Sequence, residues 1–257
     1  MQIADLTVPA LHLVATIDNA VFSKLGGLPN LATAVEWPLW KGKPLAFLGQ
    51  ISVSELPPDS AIRQTLTAGY LYFFYDQEQT TWGFDPADLG SWKVIYSTEQ
   101  PPAAVRNAPP GLEEDGIYLE KRVGFKPILS FPDPQRFDDA ITDEEADALI
   151  EQKHAQYAGQ PHHQMGGYPD VVQNDTMELD CQLASNGIYC GDSSGYEDPR
   201  AAALEAGASE WRLLLQLDSD DDTGWMWGDR GMLYFWIRES DLARRAFEKC
   251  WISLQCY

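Results

Sequence analysis

The chain has 257 residues, of which 44% are hydrophobic, and its net charge is 18 − 39 = −21 at pH 7. A chain of this length buries about three quarters of its unfolded surface, so its core needs no disulfides or metal ions. The negative charge repels nucleic-acid phosphates and anionic lipids, which argues against both as partners and favours a basic protein or a cation. The alternative interpretation is a solvated acidic surface that only keeps the protein soluble.

Targeting signals and cysteine usage indicate the compartment. The sequence lacks the basic residues that open a signal peptide, and no apolar run is long enough to span a bilayer. The cysteines are Cys181, Cys190, Cys250 and Cys256, with no CxxC pair. We therefore expect a cytoplasmic protein with reduced, mostly buried thiols.

The N-terminal half is predicted to consist mainly of strands. Gly26-Gly27-Leu28-Pro29 predicts a tight turn, because two glycines before an X-Pro step supply backbone angles that other residues avoid. A short capped helix is predicted near 59–66. Apolar or aromatic runs bounded by turn residues predict strands over 11–17, 45–51, 70–76 and 92–97.

The middle of the chain carries an interrupted strand and a helix. One strand over 117–131 is predicted to be interrupted at Gly124 and Pro127, and the proline, which lacks an N–H, indicates either a sheet edge or a strand end there. Thr142-Asp143-Glu144-Glu145 is a capping box, which predicts a helix that ends near Tyr157.

The C-terminal half follows with a similar mixture of elements. The stretch 181–190 fits no single element. Capping residues predict helices over 198–207 and 240–249. Apolar runs predict strands over 211–217, 232–237 and 251–257.

The two halves repeat one order of elements. Three blocks recur: the glycine turn 26–29 at 166–169, the strand 45–51 at 213–217, and the strand 69–74 at 231–236. Gln50 and Gln216 hold matching positions, and we interpret the pattern as duplication, with chance as the alternative. The predicted fold class is α+β: a sheet-rich single domain over 1–257. Its two pseudo-repeated halves, approximately 1–140 and 141–257, pack into one body with a few peripheral helices.

These blocks resemble one known family. GGLP, PLAFLGQI and GYLYFFYD are similar to the N-terminal half of the YwqG-like family, a bacterial domain of unknown function. HQMGGYPDVVQ, LLLQLDSDDD and MWGDRGMLYFWI are similar to its C-terminal half, whereas Leu31-Ala32 departs from the family pattern, which has a second proline there. The resemblance implies an α+β, sheet-rich, cytoplasmic protein with no assigned reaction or catalytic residues. Some relatives are suspected of acting as immunity or antitoxin-like proteins.

An acidic loop, Asp218–Asp229, imitates a calcium loop. Asp218, Asp220 and Asp222 alternate, and Asp229 stands at the twelfth position, where a calcium loop has its last carboxylate. The sixth position is Thr223 rather than the glycine that such a loop needs, and its flanks are predicted strands rather than helices. Calcium bound by the first three aspartates is one prediction, and a solvated loop at a strand end is the favoured alternative.

Trp225-Met226-Trp227 lies within the acidic loop. Aromatic rings beside carboxylates suit recognition of a basic partner, although core packing is the favoured alternative for at least one of the indoles. The leading hypothesis is a non-enzymatic protein that binds a basic protein, as an immunity-type inhibitor does. The candidate binding residues lie in the acidic loop, at the end of the strand before it, or beside the second glycine turn: His163, Gln164, Gln216, Trp225, Trp227 and Asp229.

A hydrolase or metal-dependent enzyme is the second hypothesis. It would use His162 or His163 together with the acidic loop. A zinc site would add Cys181 and Cys190, whose spacing matches no common zinc pattern. Nucleophilic catalysis would use Ser193-Ser194, which no GxSxG motif supports, so no catalytic residue is assigned. A calcium-stabilised structural domain is the third hypothesis, and no other cofactor is expected.

Overall fold

A computed structural model describes residues 7–257, with residues 138 and 139 described by their backbone alone. The strands are β1 (Val8–Ala15), β2 (Lys24–Leu25), β3 (Leu39–Trp40), β4 (Lys43–Pro44), β5 (Ala46–Ser52), β6 (Tyr70–Tyr75), β7 (Trp92–Ser97), β8 (Lys121–Ser130), β9 (Gln164–Met165), β10 (Trp211–Asp218), β11 (Met232–Arg238) and β12 (Trp251–Gln255). The α-helices are α1 (Ala61–Leu66), α2 (Asp143–Ala155), α3 (Met177–Ala184), α4 (Ala201–Leu204) and α5 (Glu239–Ala243). Within residues 7–257, no helix has the length and apolar character that crossing a membrane requires.

Ten strands form one large antiparallel sheet. Their order is β12-β11-β10-β9-β1-β8-β2-β5-β6-β7, and β3 and β4 form a separate hairpin. The two outer strands approach each other, because the Trp92 indole donates to the Cys250 carbonyl at 2.8 Å and stacks edge-on against Trp251 with 4.8 Å between ring centroids. The sheet is therefore nearly closed, and the prediction of a sheet-rich α+β fold with few helices is confirmed.

The continuous apolar runs become strands with both faces covered. Every residue of β5 is buried, and β6 is buried from Leu71 onward. One face of β6 joins the main core, where Phe73 meets Phe235 of β11 at 5.2 Å between ring centroids. The other face packs under a loop, where Trp37 contacts Phe74 edge-on. Burial on both faces explains why these strands show no alternation of apolar and polar residues.

Strand β8 runs through Pro127 without the predicted break. Its residues 123–130 pair with β1, whereas β2 pairs only with its first two residues, on the other side. The N–H of Leu129, two residues further on, points away from β1 and donates to Gln156 Oε1 at 2.9 Å. Pro127 has the same orientation, so its missing N–H faces a side where no strand pairs. The predicted interruption is wrong, whereas the edge indicated by Pro127 is confirmed, because the proline lies at a locally open edge.

The helix predictions are confirmed where local capping is complete. Both bonds of the capping box at Thr142 are present, and α2 begins at the next residue. The helix predicted over 198–207 is shorter, since α4 ends at Leu204 and Gly207 lies in a 3-10 stretch packed against Gln182. The helix predicted over 240–249 also ends early, because Arg245 adopts a left-handed backbone with φ of 61°.

Candidate functional site

The four histidines of the chain meet around β9. Strand β1 pairs with β9 so that His12 lies opposite Gln164, and the His12 Nε2 contacts the Pro161 carbonyl at 3.0 Å. His154, near the end of α2, reaches His162, with 5.1 Å between ring centroids. His163 follows directly in the chain. Three separate elements thus build one histidine-rich region at the start of the second half.

Asp170 is the buried carboxylate of this region. It ends the second glycine turn, is 6% exposed, and bonds the His162 Nδ1 through one carboxylate oxygen. The other oxygen lies 2.9 Å from the Lys153 ammonium and 3.5 Å from His154 Nε2. Burial alone would raise the pKa of Asp170, but the hydrogen bonds from His154 and His162 and the charge of Lys153 hold that pKa well below its usual range. Asp170 is therefore ionised at neutral pH and faces two imidazoles.

His163 belongs to a second network of charged side chains. Its Nδ1 accepts the Asp218 N–H at 3.1 Å, which leaves the ring proton on Nε2, 3.1 Å from Asp220 Oδ2. The Lys121 ammonium contacts the same carboxylate oxygen at 2.8 Å. Burial alone would raise the pKa of Asp220, but the hydrogen bonds from His163 and Lys121 keep it well below the usual range. This carboxylate anchors the acidic loop to β8 and β9.

The acidic loop is a tight hairpin. Asp220 and Trp225 exchange both main-chain hydrogen bonds at 3.0 Å, and the Thr223 and Gly224 N–H groups also donate to the Asp220 carbonyl. The Asp218 carboxylate accepts the His162 N–H at 2.8 Å, and Asp222 pairs with Lys121 at 2.9 Å. The three aspartates predicted to bind calcium thus all have protein partners, and Asp220 and Asp222 share Lys121. Calcium binding stays a prediction, which melting curves with and without a chelator would test.

Trp225 and Trp227 lie inside the molecule. Their side chains are 1% and 0% exposed, and both pack edge-on against Tyr118. Met226, the residue between the two tryptophans in the sequence, is 42% exposed and faces solvent. Asp229 is exposed, and its carbonyl accepts the N–H of the last residue, Tyr257, at 3.1 Å. The core packing considered for one indole thus holds for both, and the rings do not form the solvent-facing border that was predicted.

Gln164 and Gln216 fix the backbone of the second glycine turn. Gln216 donates to the His162 carbonyl at 2.7 Å and accepts the Asp170 N–H at 2.8 Å. Gln164 donates to the carbonyls of Gly166 and Tyr168 at 2.7 and 2.8 Å. Both side chains are fully buried. They position His162 and Asp170 rather than face solvent.

One group within the described residues gathers metal-ligating atoms. His154, His162 and Asp170 place one ligand atom each within 4.8 Å of one another. Neither Cys181 nor Cys190, both buried, is part of it. Sequence reasoning named His162 but missed His154 and Asp170. The turn sequences GGLPN and GGYPD carried a signal, because Asp170 replaces the neutral Asn30 at the matching place.

Comparisons with known proteins give one result. No curated protein matches the chain. Residues 23–256 match a family described as "Domain of unknown function (DUF1963)". That match takes in both glycine turns, the acidic loop and every residue of the histidine-rich region except His12. The chain therefore belongs to the DUF1963 family.

Proposed function

We propose that the protein is a non-enzymatic binding protein that recognises a basic protein, in the manner of an immunity-type inhibitor. The binding surface is the acidic face, which consists of Leu119, Glu120, Asp221, Asp222 and Met226. The observation that carries the proposal is the hydrogen bond from the Leu119 N–H to the Thr223 carbonyl, 3.0 Å long. It places an exposed leucine and its neighbouring glutamate directly beside the acidic hairpin.

The composition of the acidic face suits a cationic partner. Leu119 is 65% exposed, and Met226 follows the hairpin with its side chain also in solvent. Apolar side chains surrounded by carboxylates give a partner both a desolvated contact and charge pairing. Lys121 is mostly buried and pairs with both Asp220 and Asp222, and Glu120 pairs with Lys24 and Arg122. The exposed Asp221 is therefore the carboxylate of the face that attracts a cation most directly. The net charge of −21 adds long-range attraction for a basic protein.

The test is capture of a partner from lysate of the native cell at two salt concentrations. The wild type is expected to retain one basic protein at about 0.1 M salt and release it at about 0.5 M, because salt screens exposed charges. The double variant Asp221→Asn, Asp222→Asn and the variant Leu119→Ser should each lose this protein. A matched control, Glu205→Gln with Glu210→Gln, removes two exposed charges elsewhere and should retain it. Loss in the control as well, or no basic protein captured by the wild type, would contradict the proposal.

We also propose that the two halves, 1–140 and 141–257, are duplicated units of a single domain. Support comes from matching hydrogen bonds in the first half. Gln50 accepts the Asn30 N–H at 2.8 Å and donates to the Phe22 carbonyl at 3.1 Å. Gln216 bonds Asp170 and His162 in the same way. The tyrosines Tyr72 and Tyr234 donate to the carbonyls of the two matching turn residues, Asn30 and Asp170, at 3.1 and 2.6 Å.

The finer family assignment and the compartment are proposals as well. The blocks around the two glycine turns support a YwqG-like member within the wider family. Four free, buried cysteines support a reducing, cytoplasmic location.

A further inference from the structure

We propose that His154, His162 and Asp170 form a binding site for a divalent transition-metal ion of the zinc class. This site is separate from the acidic face and does not depend on the binding function proposed above. Two imidazole nitrogens and one carboxylate oxygen are typical ligands of Zn²⁺, Co²⁺ or Fe²⁺, whereas Ca²⁺ and Mg²⁺ prefer sites built entirely of oxygen. Three protein ligands leave a further position for water or a small anion.

A small movement of His154 would bring the ligand atoms to the spacing that one ion needs. Zinc lies about 2.0–2.2 Å from its nitrogen and oxygen ligands, so two ligands of one ion are at most about 4.4 Å apart. The three atoms lie within 4.8 Å of one another, and Asp170 already contacts both imidazoles. His154 is half-exposed and belongs to the last turn of α2, so its ring can rotate toward an ion at small cost.

The two inner ligands are held in place before any ion arrives. The His162 ring stacks on Tyr157, with 3.9 Å between ring centroids and 16° between the planes. Gln216 bonds the backbone of both His162 and Asp170, and the Tyr234 hydroxyl donates to the Asp170 carbonyl at 2.6 Å. Such outer contacts commonly orient metal ligands and strengthen binding.

Lys153 lowers the metal affinity of the site. Its buried ammonium bonds the Pro169 carbonyl at 3.0 Å and one oxygen of Asp170 at 2.9 Å. An ion at the other oxygen would share that carboxylate with a positive charge. The charge weakens binding, and its removal should strengthen binding, because Asp170 would then face the metal without a competing cation.

Titration of the purified full chain with Zn²⁺ and with Co²⁺ tests the site. Calorimetry is expected to show one Zn²⁺ per chain, and Co²⁺ should develop the visible absorption of an ion bound through nitrogen. His162→Gln should weaken binding by about a hundredfold and His154→Gln by about tenfold, since ligands and their supports typically contribute such factors. Lys153→Met should tighten binding by about tenfold.

Glu151→Gln is the matched control, because it removes one exposed carboxylate from α2 without removing a ligand. It should bind Zn²⁺ as the wild type does. His154→Gln changes a half-exposed side chain. It is therefore expected to fold even if the more buried His162→Gln does not. Absence of saturable binding in both the wild type and Lys153→Met would overturn the proposal and leave a structural ion-pair cluster. Equal binding by the wild type and both histidine variants would also overturn it.

Discussion

Two buried aspartates in this protein have opposite surroundings. Asp170 is paired with Lys153 and two imidazoles, whereas Asp180 accepts only neutral hydroxyls, from Tyr196 at 2.6 Å and Thr176 at 2.9 Å. Burial raises the pKa of Asp180 to about 6, and its two hydrogen bonds offset only part of that effect. The stabilising contribution of protonated Asp180 is therefore present at low pH and lost as pH rises through about 6.

Asp180→Asn is expected to stabilise the protein at about pH 8. The amide oxygen can accept from one hydroxyl while the amide nitrogen donates to the other, and the side chain carries no charge to bury, so the free energy of unfolding should rise by about 1–2 kcal/mol. The gain should shrink as pH falls through about 6 and vanish only below about pH 3, where Asp180 is protonated in both folded and unfolded chains. Urea unfolding of wild type and variant across this range measures the difference. A gain that does not change with pH would show that charge burial is not its cause. Glu197→Gln, which removes an exposed carboxylate, is the control and should show no such pH-dependent gain.

The Lys24–Glu120 pair provides a second prediction at this scale. The Lys24 side chain is fully buried, and its ammonium lies 2.6 Å from a carboxylate that is 38% exposed. Glu120→Gln leaves this buried charge without a charged partner and should cost about 1–3 kcal/mol of unfolding free energy, less than for a fully buried pair. Lys43 and Glu78 lie at the same 2.6 Å separation but are 60% and 52% exposed. Urea unfolding of Glu78→Gln should show a much smaller loss than that of Glu120→Gln, and equal losses in the two variants would contradict the role of burial.

At the scale of elements, the sequence predicted what neighbouring residues decide. Capping bonds at Ser60 and Thr142 and the aromatic run of β6 are local signals, and those elements appear where predicted. Helix α3 was missed because six of its eight residues are buried, which leaves no polar face, and Thr176 forms no capping bond there. β8 continues through Pro127 because β2 pairs only with the start of β8 and leaves that edge open. This depends on tertiary structure, which local sequence does not show.

The candidate site was predicted only in part for the same reason. His162 and His163 stand together in the sequence, and their position before the glycine turn drew attention. Their partners come from α2, from the end of the turn and from β8, and sequence spacing does not indicate which of them meet. Trp225 and Trp227 flank one exposed residue at strand-like spacing, which fits a buried pair as well as a surface pair.

Gln216 supports the backbone of the segment that carries His162 and Asp170. Gln216→Ala removes the partners of the His162 carbonyl and the Asp170 N–H, two main-chain groups beside the sheet. Unsatisfied buried groups cost about 1–3 kcal/mol each, so a loss of about 2–5 kcal/mol is expected by urea unfolding. Gln50→Ala should cost a similar amount, because Gln50 makes the corresponding bonds to Phe22 and Asn30. A loss below about 1 kcal/mol in both variants would mean that water replaces these contacts.

At the scale of the whole molecule, the two halves share one sheet and one core. Strand β1 of the first half pairs with β9 of the second, and Phe73 packs against Phe235. The nearly closed sheet also depends on Trp92 donating to Cys250, two residues 158 positions apart in the chain. Long-range contacts of this kind make each half a poor folding unit, even where both derive from one ancestral repeat.

A chain of residues 1–140 alone is therefore expected to remain unfolded or to associate, because it exposes the inner faces of β5 and β6. The full chain should unfold in urea in one transition, with tryptophan fluorescence and far-ultraviolet circular dichroism changing together. Tryptophan fluorescence reports on both halves, since Trp37 and Trp92 lie in the first half and Trp211 and Trp251 in the second. Two separate transitions, or a monomeric 1–140 fragment with cooperative unfolding, would show that the halves are independent domains. That outcome would shift the origin of stability from the shared core to each half.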